Sequence, residues 1–84
     1  MGVDGHTASL FATDPGLPQA LEISSNRFFS KVKLACESFE RLTLNYSVLS
    51  KANKTYLHIV GEKKLQALEK AIEVNDPLKM PISI

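Results

Sequence analysis

Hydrophobic and polar positions change rhythm several times along this chain. In RLTLNY, residues 41–46, they alternate strictly. Leu42, Leu44 and Tyr46 fall on one face, and Arg41, Thr43 and Asn45 on the other. Side chains of an extended chain point alternately to its two faces, so this segment is predicted as a strand. RFFSKVKL before it alternates less regularly, through Phe29, Val32 and Leu34, and is a second strand candidate joined by the connector ACESFE. TYLHIV, residues 55–60, is almost continuously apolar and closed by Gly61, the pattern of a strand covered on both faces. EKKLQALEKAIEV, residues 62–74, has a helical rhythm: Leu65, Leu68 and Ile72 recur at i, i+3 and i+7, with Ala67 and Ala71 beside them. Asn75-Asp76-Pro77 stops it.

The remaining segments are short. HTASLF reads as a helical start with Thr7 as a cap, after the turn dipeptide Asp4-Gly5. Residues 12–26 hold two prolines, a glycine and small polar residues, a loop with one helical turn at PQALE; Asp14 and Glu22 lie in it without an assigned role. SVLSKANK reads as a short helix ended by Asn53, and PISI as the beginning of another extended segment. Strands alternating with helices imply an α/β fold with parallel pairing. Two or three such strands do not make a self-sufficient sheet, because parallel strands need covered faces and protected edges. The expectation is part of a mostly parallel, Rossmann-like sheet flanked by helices and truncated at both ends, with residues 1–84 forming a partial single domain.

Composition narrows the function classes. The chain has 84 residues, 10 Lys and Arg against 9 Asp and Glu, and 44% hydrophobic residues. A dedicated nucleic-acid binder carries a strong basic excess, and a disordered tail is far less apolar. No apolar run approaches the ~18–20 residues of a membrane span, and the first residues do not lead one to expect a signal peptide. Cys36 is the single cysteine and has no internal partner, so a stapled secreted miniprotein is not expected and the cytoplasm is the default compartment. Nothing local marks Cys36 as an activated nucleophile; a free thiol in a linker or in the core is the plainer reading. His58, inside TYLHIV, is expected to pack within a sheet, and Tyr46 and Tyr56 are expected to be packing residues.

Two groups qualify as candidate chemistry, because ligands of open parallel sheets collect beyond the carboxyl ends of the strands. In GEKK, Gly61 ends a predicted strand, and Lys63 and Lys64 sit in the first helical turn. Cations are disfavoured there by the helix dipole, unless they share an anion with the free backbone amides. The alternative is two solvated surface charges. In DGH, His6 follows a presumed strand end at MGV and opens a presumed helix. An imidazole exchanges protons near neutral pH, and Asp4 is placed to steer it. The alternative is a polar turn with a capping role.

GVDGHTASLF, taken whole, resembles the signature of the 6-phosphogluconolactonase family, Gly-Met-Gly-x-Asp-Gly-His-x-Ala-Ser-Leu-Phe. The match from Asp4 to Phe11 is residue for residue, and Met1-Gly2 supply the two positions after the signature's first glycine. RLTLNYSVLSKANKTYLHIVGEKKLQALEKAI resembles the family's Arg-x-Thr-Leu run, helix, hydrophobic strand and Gly-Glu-x-Lys helix start, and MPISI the segment that follows. SNRFF resembles the family's arginine before an extended segment. The resemblance implies hydrolysis of 6-phosphoglucono-1,5-lactone to 6-phosphogluconate in the pentose phosphate pathway, with no metal and no cofactor. It implies His6 as general base and Asp4 as its support. Lys64 would hold the substrate phosphate, with Arg27 as a second contact and Arg41 as a further candidate. The partner is then a small sugar-phosphate lactone, with no nucleic acid and no membrane. Family chains are much longer, so the resemblance implies the C-terminal portion of a larger sugar-phosphate enzyme domain, inactive or nearly so alone. Two readings compete. One is the sister glucosamine-6-phosphate deaminase/isomerase, whose Asn-Glu-Pro after the histidine is replaced here by Ser9-Leu10-Phe11. The other is a non-catalytic remnant.

Overall fold

The computed structural model describes residues 1–84. Its elements, in order, are α1 (Leu17–Ala20), β1 (Phe29–Val32), β2 (Arg41–Leu44), α2 (Tyr46–Leu49), α3 (Glu62–Val74) and a terminal 3-10 turn at Pro81–Ser83. β1 and β2 form a two-stranded sheet with Phe29 opposite Leu44 and Val32 opposite Arg41. The pairing is antiparallel, not the parallel pairing expected. The physical reason is connection length. A parallel partner needs a crossover of a dozen or more residues, and residues 33–40 suffice only to turn the chain back.

The buried face of β2 is its polar one. Thr43 is 3% exposed, whereas Leu42 is 71% exposed. The inward side is polar because it holds the N-terminal turns. Ser9 N–H donates to Thr43 Oγ1 at 3.1 Å, and the Thr43 hydroxyl donates to Leu44 O. Asn45 N–H donates to Phe28 O, and Asn45 Nδ2 and Ser47 Oγ both donate to Arg27 O. Phe29, Leu42 and Leu44 on the outer face stay exposed, with Phe29 and Leu44 opposite each other in the ladder.

Four further expectations are corrected. HTASLF is a turn rather than a helical start: Ala8 takes a left-handed φ of 51°, and Leu10 N–H returns to Thr7 O. TYLHIV forms no strand. A strand exists through its ladder, and no neighbour in this chain supplies one, so Tyr56 and Val60 remain 82% and 76% exposed. His58 is exposed with them instead of packed in a sheet. PISI folds into the 3-10 turn instead of extending, with Pro81 at its start and the Ser83 hydroxyl donating to Ala71 O.

α3 has the bounds read from the sequence. Asn75 ends it in the left-handed conformation at φ 48°, its N–H donating to Ala71 O, a role asparagine fills with little strain. The buried face is not the leucine stripe, however. Ala67 and Ala71 pack against Met80, with Met1, Val74 and Ile82 around them, while Ile72 is exposed. A second small cluster unites Leu10, Leu17 and Ala20, with Leu21 and Leu49 at its margin. Each buried leucine contributes roughly 2 kcal/mol by leaving water. A third joins Phe11, Val32 and Leu34. The core is therefore three patches that surround the N-terminal turns.

Thr43→Val keeps shape and removes the acceptor of the part-buried Ser9 N–H. Loss of about 1–2 kcal/mol of unfolding free energy is expected. Urea titration of the chain and its variant measures it; an unchanged midpoint would show that the turn does not depend on this bond.

Candidate functional site

The site is built on a backbone loop closed upon itself. Gly2 N–H donates to His6 O at 2.9 Å, and Gly5 N–H to Gly2 O at 3.0 Å. The expected strand at residues 1–3 is absent, so hydrogen bonds within the turn do the holding. Two glycines make it feasible. Gly5 has φ 84°, and a Cβ there would also press on Met80. At Gly2 the conformation is ordinary, but any Cβ would overlap the His6 imidazole and crowd the Asp4 carboxylate. Gly2 leaves room for the ring to fold back over the backbone.

Asp4 fixes the imidazole from one edge. Its Oδ1 lies 2.6 Å from His6 Nδ1 and also accepts the His6 backbone N–H at 3.1 Å. Partial burial pushes the Asp4 carboxyl up, but the hydrogen bonds from the His6 backbone and ring outweigh it and hold the group below its ordinary value. An ionised carboxylate only accepts, so Nδ1 carries the proton and Nε2 keeps its lone pair. The His6 side chain is partly exposed. Phe11 lies against the ring face, centroids 4.3 Å apart and planes at 26°. Such a stack adds about 0.5–1.5 kcal/mol beyond area burial.

Arg41 belongs to the same cluster. Its guanidinium carbon lies 5.4 Å from the Phe11 centroid and 5.3 Å from that of Phe39. Its fork is engaged by Glu37, with Nη2 to Oε1 at 2.6 Å and Nε to Oε2 at 2.8 Å. Those hydrogen bonds are the main reason that Glu37 is held below the usual carboxylate range and Arg41 above its own.

Lys64 makes no direct contact with His6 and is linked to its turn only through the packing of α3. The turn carrying His6 is tied to the C-terminal segment by Ile82 N–H to Gly5 O at 2.8 Å, and Met1 and Met80 rest on Ala67 and Ala71. Lys64 precedes Ala67 by three positions, so it lies on that same face of α3 and is half-buried, whereas Lys63 is exposed. The first bond of α3 is Leu65 N–H to Gly61 O, which leaves the amides of residues 62–64 free at the helix start. Arg27 stands apart. It is exposed, and its backbone, not its guanidinium, makes the hydrogen bonds to Asn45, Ser47 and Ser25. Cys36 is a free, exposed thiol in the 33–40 connection. Three parts of the site escape a reading of residue types: the space at Gly2, the Phe11 wall and the Glu37 clamp. The signature stretch contains Gly2 and Phe11, but only their contacts with His6 reveal what they do.

A family model described as glucosamine-6-phosphate isomerases/6-phosphogluconolactonase matches residues 1–84. The 6-phosphogluconolactonase of Pseudomonas aeruginosa is 40% identical over 82 residues, which cover 98% of this chain and 34% of the relative. That of Helicobacter pylori is 37% identical over 83 residues, covering 99% of this chain and 35% of the relative. The crystal structure of a 6-phosphogluconolactonase from Shewanella baltica superposes with a TM-score of 0.89 at 35% identity, covering 99% of this chain and 35% of that one. The chain thus spans about a third of the length of the curated relatives it matches.

Because the Asp4 carboxyl is depressed in the folded chain, its stabilising contribution is present above the unfolded carboxylate value of about 3.9 and is lost as pH falls through the lower folded value. Urea midpoints taken across that acid range are expected to fall more steeply for the unmodified chain than for Asp4→Asn. Parallel curves would contradict the Asp4–His6 link.

Proposed function

Because the chain belongs to the glucosamine-6-phosphate isomerase/6-phosphogluconolactonase family, we propose that, set in a chain of its relatives' length, it forms the proton-transfer side of a lactonase acting on 6-phosphoglucono-1,5-lactone. The observation that carries this reading is the Asp4–His6 pair. It leaves Nε2 as a free base on a turn that packs, through Met1 and Met80, against the α3 face bearing Lys64.

The chemistry follows from the tautomer. His6 Nε2 takes a proton from water as the water oxygen bonds to the lactone carbonyl carbon. Asp4 stabilises the imidazolium that forms. The tetrahedral oxyanion collapses, the bond from carbonyl carbon to ring oxygen breaks, and the imidazolium returns its proton to that departing oxygen. The products are the carboxylic acid, which ionises, and a free hydroxyl. Lys64 and the free amides at the start of α3 hold the substrate phosphate, a pairing of ammonium charge with helix-end donors. Arg27, exposed and without an ion pair, is a second phosphate contact. Arg41, engaged by Glu37, is a further contact only where phosphate displaces that carboxylate.

The mostly parallel, Rossmann-like sheet belongs to the same proposal. Exposed Tyr56, Leu57 and Val60 in residues 55–60, with Leu42 and Leu44 on β2, are apolar surface of the kind that a larger sheet buries. Residues 1–84 are then a part of one domain. No helix is long and apolar enough to cross a membrane. A single free thiol suits the reducing cytoplasm.

In the longer chain, His6→Ala is expected to lower kcat for lactone hydrolysis by about 10²–10⁴-fold. Lys64→Ala is expected mainly to raise KM, since the phosphate is held alike in ground and transition states. The isolated 84 residues are expected to be nearly inactive. Full activity of His6→Ala would refute the role of the base. Ammonia release from glucosamine 6-phosphate would instead favour the deaminase branch of the family.

A further inference from the structure

We propose that Phe11 is a positioning residue for the His6 imidazole, and that the Glu37–Arg41 pair holds Phe11 in place for that task. The proposal rests on His6 being the base, and extends that reading to the part of the site that sets its orientation.

A single hydrogen bond from Nδ1 to Asp4 fixes one point of the ring and leaves its plane free to tilt about that bond. Tilt matters, because the direction of the Nε2 lone pair determines which atom the base can reach. Two contacts remove this freedom. The Gly2 backbone lies so close to Cε1 and Nδ1 that no Cβ fits between them. Phe11 covers the ring face at 4.3 Å, nearly parallel to it. Together with the carboxylate they border the ring at an edge, a backbone and a face.

Phe11 suits this role because it is itself immobilised. It is buried and packed with Val32 of β1 and with Leu34. Arg41 lies over its ring and over that of Phe39, and Glu37 grips the guanidinium by two hydrogen bonds. Glu37 is in turn tied into the 33–40 connection, where its N–H donates to Leu34 O and its carbonyl accepts Lys33 Nζ. An arginine whose fork is already filled by a carboxylate is better placed to steady an aromatic ring than to await an anion. The return loop of the hairpin therefore bears on a ring far earlier in the sequence and adjacent in space.

The experiment combines NMR with kinetics. In the unmodified chain, cross-relaxation between His6 and Phe11 ring protons is expected, and the His6 Cδ2–H and Cε1–H signals lie upfield, as for protons over an aromatic face. In Phe11→Leu these signals move downfield, and in Phe11→Tyr they stay. In the longer, active chain, Phe11→Leu is expected to lower kcat on the order of 10- to 10²-fold with KM little changed, and Phe11→Tyr to restore it. Absence of ring-to-ring cross-relaxation in the unmodified chain overturns the proposal, and needs no variant that folds. So does a Phe11→Leu enzyme with unaltered kcat, or a loss that Phe11→Tyr does not restore. If the longer chain hydrolyses no lactone, the reading of function fails, while the NMR arm still decides whether Phe11 sets the His6 ring.

Discussion

One small enclosure governs this structure: the His6 imidazole held against the Asp4 carboxylate, over the Gly2 backbone and under the Phe11 ring. An imidazole alone on a surface turn samples several rotamers and both neutral tautomers. Here a charge-assisted hydrogen bond selects the tautomer, and two packed surfaces select the rotamer. The outcome is a directed lone pair on Nε2. That property is needed before any proton can be taken from a chosen water.

The fold around the enclosure can be understood as its support. Met80 sits under Gly5, Ile82 bonds to the Gly5 carbonyl, and both rest on the alanine face of α3. Small side chains at Ala67 and Ala71 let that segment approach closely, and Lys64 emerges one turn earlier on the same face. On the other side, Thr43 holds the backbone of Ser9, and β1 with Leu34 anchors Phe11. Polar groups of β2 face inward because they serve this turn. The leucines of β2 and most apolar residues of 55–60 are exposed.

Much of this was legible in the residues, and the failures have physical causes. The bounds of α3 are legible because a long periodic helix is punctuated by Gly61 and Asn75. The alternation of β2 marks a strand but not its buried face: alternation tells which residues share a side and not which side is buried. The antiparallel pairing follows from the short 33–40 connection, a constraint stronger than the helix-strand order that suggested parallel pairing. Residues 55–60 have the composition of a buried strand and none of the neighbours that make one. Ala8 at a left-handed φ has no signature in sequence; its neighbour Ser9 is held by Thr43, which is distant in the chain. His6 and Asp4 stood out through the Asp-Gly-His motif, whereas Gly2 and Phe11 acquire meaning only from their distance to the ring.

The most direct test is a crystal structure of the longer chain with 6-phosphogluconate bound. Expected is His6 Nε2 within about 3 Å of the oxygens on C1, with Lys64 Nζ at hydrogen-bond distance from the phosphate of the same molecule. A product lying with its carboxylate turned away from His6, or its phosphate bound out of reach of Lys64, would contradict the assignment.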